Sequence, residues 1–131
     1  MTTTRVNISS ASDFEDVVGY SRAVRVGDHV MVSGTTAAVP GGGVVGGDDI
    51  GAQATEVLAR IATALEQAGA SLRDVVRTRM FVTDISRWPE VAAAHAAVFG
   101  TIRPAAAMYE VTALIAPELL IEIEADAIVT G

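Results

Sequence analysis

No cysteine occurs in these 131 residues. That excludes disulfides, thiolate nucleophiles and Cys-based metal sites. Aromatics are scarce as well: one Trp, two Tyr and three Phe. Half of the residues are hydrophobic, but many of these are Ala, so the core must be built from small side chains. Basic residues are outnumbered 16 to 9, for a formal charge of −7. A nucleic-acid binder needs a basic stripe to neutralise phosphates, and this balance argues against one. It argues equally against an anionic membrane surface. No apolar run approaches the roughly 18–20 residues of a spanning helix. The N-terminal MTTTRVNISSASDFED lacks the apolar segment of a secretory signal. The expectation is a single cytoplasmic domain over residues 1–131.

What is present is periodicity. A short strand is expected at Arg5–Ile8. In Tyr20–Gly34, Val24 and Val26 alternate with Arg25, then Val30 and Val32 alternate with Met31, and Gly27-Asp28 between the two runs reads as a hairpin turn. PGGGVVGG (40–47) is a flexible loop. It holds no Lys and matches no phosphate-binding pattern. Asp48 or Asp49 can cap a helix running to about Ala68, with Val57, Leu58, Ile61 and Leu65 at helical spacing and Gly69 just beyond its end. DVVRTRMFVTD (74–84) reads as a strand with Val76, Thr78, Met80 and Val82 on one face, and Arg77, Arg79, Phe81 and Thr83 on the other. A second helix is expected at Ser86–Gly100, with Ser86 as cap and Pro89 in its first turn. Ala105–Leu114 and Leu120–Val129 read as long strands joined through Pro117. The order is β-β-β-α-β-α-β-β. It predicts an α+β sandwich: one mixed six-stranded sheet with two helices on one face.

The opposite face of that sheet then mixes Phe81 with arginines and glutamates, and a chain of this length has no third layer to cover it. Identical subunits are the simplest cover. In LIEIEAD (120–126), Glu122, Glu124 and Asp126 share that open face, while Ile121, Ile123 and Ala125 face the helices. The acidic row reads either as carboxylates paired to Arg77 and Arg79 or as the seat of a water-activating group. His29 and His95 lack metal-ligand spacing, so no metal is expected. Ser33 has no base at recognisable spacing and suits hydrogen bonding better than nucleophilic attack. Tyr20 fits a core or a pocket rim.

The segments GYSRAVRVGDHVMVSGTTA (19–37), QATEVLARIATALEQAGASLRDVV (53–76), RTRMFVTD (77–84) and RPAAAMYEVTALIAPELLIEIEADAIV (103–129) together resemble the Rid (reactive intermediate deaminase, YjgF-like) family. The resemblance implies a chorismate-mutase-like fold and a homotrimer with small-molecule pockets between subunits. It implies no cofactor. Active members hydrolyse imine or enamine acids to 2-oxo acids and ammonia, so the implied ligand is 2-oxo- or imino-acid-like. The resemblance assigns water activation to Glu122 and pocket lining to Tyr20, Ser33 and Met108. It places the carboxylate-clamping Arg of active members at Ala106, where this chain offers neither charge nor donor. Arg79 is the candidate replacement. Three readings follow: a deaminase of altered specificity, a binding or sensing trimer without chemistry, and nucleic-acid cleavage, which the acidic charge opposes.

Overall fold

A computed structural model describes residues 4–10 and 12–131. The chain forms strand β1 (Arg5–Ile8), helix α1 (Asp13–Val18), strands β2 (Ala23–Val26) and β3 (His29–Thr35), helix α2 (Ile50–Gln67), strand β4 (Val75–Val82), helix α3 (Trp88–Phe99), and strands β5 (Ala105–Glu110) and β6 (Ile121–Ile128). The six strands make one mixed sheet in the order β1-β2-β3-β6-β4-β5. Every pairing is antiparallel except β4 with β5. The α+β class, the single sheet and the two packed helices are those expected from the sequence.

Local chemistry explains the elements. Gly27, at φ 60°, supplies the left-handed turn between β2 and β3. Asp49 caps α2 by accepting from Ala52 N, and Gly69 at φ 77° ends it. Arg25 reaches across to donate to the carbonyls of Ala68 and Gly69, placing a cation at the C-terminus of α2. Val57, Leu58, Ile61 and Leu65 of α2 pack on Val30, Val82, Ile121 and Ile123 of the sheet, all buried. Buried Gln53 locks the start of α2 to the last loop: its amide donates to Gly47 O and Glu118 O and accepts from Leu120 N.

Four details differ from the sequence expectations. The segment before β2 holds α1, capped by Ser12 and ended by Gly19 at φ 87°. In β4 it is Val75 that is buried, while Val76 is 43% exposed, because an irregularity against β6 between Val75 and Arg77 resets the alternation. α3 begins at Trp88 after a turn of 3₁₀ helix (Ile85–Arg87), whose cap is Asp84; the Asp84 carboxylate accepts from the backbone and hydroxyl of Ser86. β5 stops at Glu110, and residues 111–120 form the connection to β6. Among the described residues, no helix is long and apolar enough to cross a membrane.

Candidate functional site

The site grows from a bulge. β3 pairs with β6 through Val32–Ala125 and then Thr35–Ile123, so three steps along β3 match two along β6. Ser33 and Gly34 are the extra length, turned to the open face beside Glu122 and Glu124. Gly34 has no side chain, and the Glu122 carboxylate lies over it; a Cβ at position 34 would overlap Glu122 Oε2. Ser33 hydroxyl donates to Ser21 O at 2.6 Å, leaving its oxygen lone pairs to accept. Arg22 holds the other side of the bulge, with Nη2 donating to Gly34 O at 2.6 Å and its carbonyl accepting from Ser33 N at 3.0 Å.

These groups open onto a cavity of about 1170 Å³, whose wall includes Tyr20, Arg22, Ser33, Gly34, Glu122 and Glu124. The far wall comes from α2 through Arg60 and Thr63, and the rim from Phe14, Val18, Gly41, Gly42, Gly43 and Ile115. Arg60 is committed to structure: Nη1 donates to Thr36 O and Ala38 O, and Nε pairs with Glu56 at 2.8 Å. Two opposed influences act on Glu122. Burial pushes its pKa up, the Arg22 cation pulls it back, and Glu124 adds to the rise, with a net shift upward. Burial lowers the pKa of Arg22, whose charge is supported by Tyr20, Glu15 and Glu122.

The other candidates from the sequence lie elsewhere. Arg79 is on the open face, but its Nη1 is shared between Glu124 at 3.3 Å and Asp126 at 3.1 Å, and it does not line the cavity. Ala106 and Met108 are on β5, opposite Thr78 and Met80 of β4, so they sit on the helix-side face at the far edge of the sheet. Met108 packs against the core. One chain therefore brings Tyr20, Ser33 and Glu122 together and leaves Arg79, Ala106 and Met108 outside. Phe81 stacks on Tyr109 at 5.9 Å on the uncovered face, and Tyr109 is 52% exposed. His95 is a packing residue: Nε2 shares a 2.9 Å hydrogen bond with buried Thr78, and its ring tilts against Phe99. Among the described residues, no group of three or more His, Asp or Glu could hold a metal ion.

Two site residues were missed from the sequence. Arg22 has no role in the sequence reading, where it lies just before the first alternating run. Its signal was proximity to Tyr20 and to the hairpin that carries Ser33. Gly34 looked like the end of a strand, although glycine inside an alternating run marks a bulge or a close approach.

Comparison with known proteins agrees with this architecture. The family described as Endoribonuclease L-PSP matches residues 10–129. A RutC family protein of Pyrococcus abyssi is 35% identical over 108 residues, 82% of this chain and 84% of the relative. A 2-iminobutanoate/2-iminopropanoate deaminase of Salmonella typhimurium is 34% identical over 112 residues, 83% of this chain and 86% of the relative. A crystal structure of a YjgF/YER057c/UK114 family member from Mycobacterium tuberculosis is 60% identical with a TM-score of 0.88, covering 96% of this chain and all of that one. The bulged sheet, its two helices and the matched span make this chain a member of the YjgF/Rid family, the family described as Endoribonuclease L-PSP.

Proposed function

We propose that this chain works as a cytoplasmic homotrimer that hydrolyses small reactive imines, with Glu122 handling the proton of the attacking water. The observation that carries the reading is the setting of Glu122. It is half-buried in a cavity shared with Tyr20 and Ser33, seated over Gly34, with a carboxyl pKa raised by burial. A carboxylate tuned upward is a better base near neutral pH than an exposed one. Water attacks the C=N carbon as Glu122 takes one of its protons and passes it to the nitrogen, which receives the displaced electron pair. The carbinolamine then collapses as Glu122 takes the remaining hydroxyl proton, the C–N bond breaks and nitrogen leaves with that proton as ammonia. The S. typhimurium relative, a 2-iminobutanoate/2-iminopropanoate deaminase by name, supports this reaction class.

The trimer is supported by the uncovered sheet face carrying the Phe81–Tyr109 stack. β4 separates β5, with Ala106 and Met108, from β6 with Glu122, so a pocket built from both needs a second copy. A binding trimer without turnover is the second reading, favoured by Ala106, which offers no donor. Ammonia release from freshly generated 2-iminobutyrate decides between them. Turnover that disappears in Glu122→Gln supports hydrolysis. Saturable 2-oxo acid binding without turnover supports the binder.

A further inference from the structure

The hydrolytic scheme leaves one cation on the described cavity wall without a task. Arg22 is half-buried between α1 and the β3 bulge, and the guanidinium is fixed by its Nη2 bond to Gly34 O. Its Nε is buried and has no hydrogen-bond partner among the described residues. The protein's other structural arginines are spent differently. Arg25 caps α2, Arg60 ties down the loop after β3 and Arg79 pairs with two carboxylates. Arg22 feels the charge of Glu122, yet no ion pair joins them among the described residues. A guanidinium has five N–H donors in a planar fork, and one of these is bonded to Gly34.

We propose that Arg22 is the specificity-determining residue of the cavity, holding the carboxylate of a small 2-imino or 2-oxo acid so that its C2 carbon faces Glu122. The inference rests on the hydrolytic reading for its substrate class. The planar fork suits a carboxylate, which can accept two N–H donors at once. Glu122 repels the same carboxylate. Attraction on one side and repulsion on the other therefore choose one orientation of a small 2-oxo or 2-imino acid. Seating an anion on Arg22 also offsets the cation's pull on Glu122, making Glu122 a stronger base once substrate is in place. Neutral imines would lack this anchor.

Calorimetric titration of the wild type, Arg22→Gln and Arg22→Lys with 2-oxobutyrate and with its neutral amide, 2-oxobutanamide, tests the assignment. The expected result is tighter binding of 2-oxobutyrate than of the amide by the wild type. Arg22→Gln should weaken 2-oxobutyrate binding about 10- to 100-fold and weaken the amide far less, since only the anion loses a charge-assisted contact. Arg22→Lys should recover part of the loss. Equal 2-oxobutyrate affinity in wild type and Arg22→Gln overturns the proposal, as does a wild type that does not distinguish acid from amide. Ammonia release from 2-iminobutyrate is measured on the same proteins. Arg22-dependent binding without turnover sinks hydrolysis and leaves the anchor standing. Turnover with a KM untouched by Arg22→Gln does the reverse. Should Arg22→Gln fail to fold, the ¹⁵Nε–¹Hε resonance of Arg22 in the wild type decides: it should shift on saturation with 2-oxobutyrate, and an unmoved resonance overturns the proposal.

Discussion

Gly34→Ala should disable Glu122 while leaving the fold intact. Gly34 lies in β3 and does not adopt a positive φ, so alanine fits its backbone conformation. The methyl group collides with the end of the Glu122 side chain, which supplies its three nearest heavy atoms. A flexible tip can move aside. Ordinary contact, at 3.4–4 Å, then requires the carboxylate to retreat by about 1.5 Å or more, and a misplacement of even about 1 Å costs about 10²-fold in rate. Stability should change little. Fewer unfolded conformations contribute about 0.4–1 kcal/mol in favour of the variant. An off-rotamer Glu122 costs about 0.5–1.5 kcal/mol. The two nearly cancel, so the melting temperature should stay within about 5 °C.

The assay is ammonia release from 2-iminobutyrate beside thermal unfolding. The expected pair of results is kcat/KM reduced about 100-fold with an almost unchanged melting curve. Glu122→Gln should fall at least as far. The double variant should be no worse than Glu122→Gln alone, since residues acting through one contact are not additive. Full turnover in Gly34→Ala would refute the reasoning, because it would show that the chemistry ignores where Glu122 sits. A collapse in stability would refute it differently, by showing that the bulge backbone takes the strain.

Three further outcomes are expected. The acid limb of the rate profile, set by ionisation of Glu122, should lie above the ordinary carboxylate range; Glu124→Gln should move it down and Arg22→Gln up, since Glu124 raises the Glu122 pKa and Arg22 lowers it. His95 is held below its ordinary 6.5 by burial, so the unfolded chain takes up that proton first as pH falls. Stability tied to His95 should be complete above pH 6.5 and lost below it, and unfolding melts of His95→Gln should lack that portion of the acid slope. Tyr109→Asp places a charge on the stacked, exposed Phe81–Tyr109 pair; light scattering should report three times the chain mass for the wild type and a single chain mass for the variant, and an unchanged mass would place the contact elsewhere.

Much of this architecture was legible because alternation and helical spacing are local signals. Ile121, Ile123 and Ala125 had to face the helices, and Glu122, Glu124 and Asp126 had to face away. What alternation cannot register is an inserted residue. The Ser33–Gly34 bulge and the reset at Val75–Arg77 each shift the pattern by one, and the first of these builds the site. The capped turn of α1 was overlooked because six residues are too few to display a helical period.

Strand order was equally out of reach. Ala106 and Glu122 are only sixteen positions apart in sequence, yet β4 separates β5 from β6 in the sheet. Reading Ala106 as the missing partner of Glu122 therefore presumes a second copy, whereas Arg22 is already in the same cavity within one chain. The two arrangements make separable demands. A site anchored at β5 must weaken when Tyr109→Asp separates the subunits. A carboxylate anchored by Arg22 should still be bound by the isolated chain, so titrating 2-oxobutyrate into that variant locates the anchor.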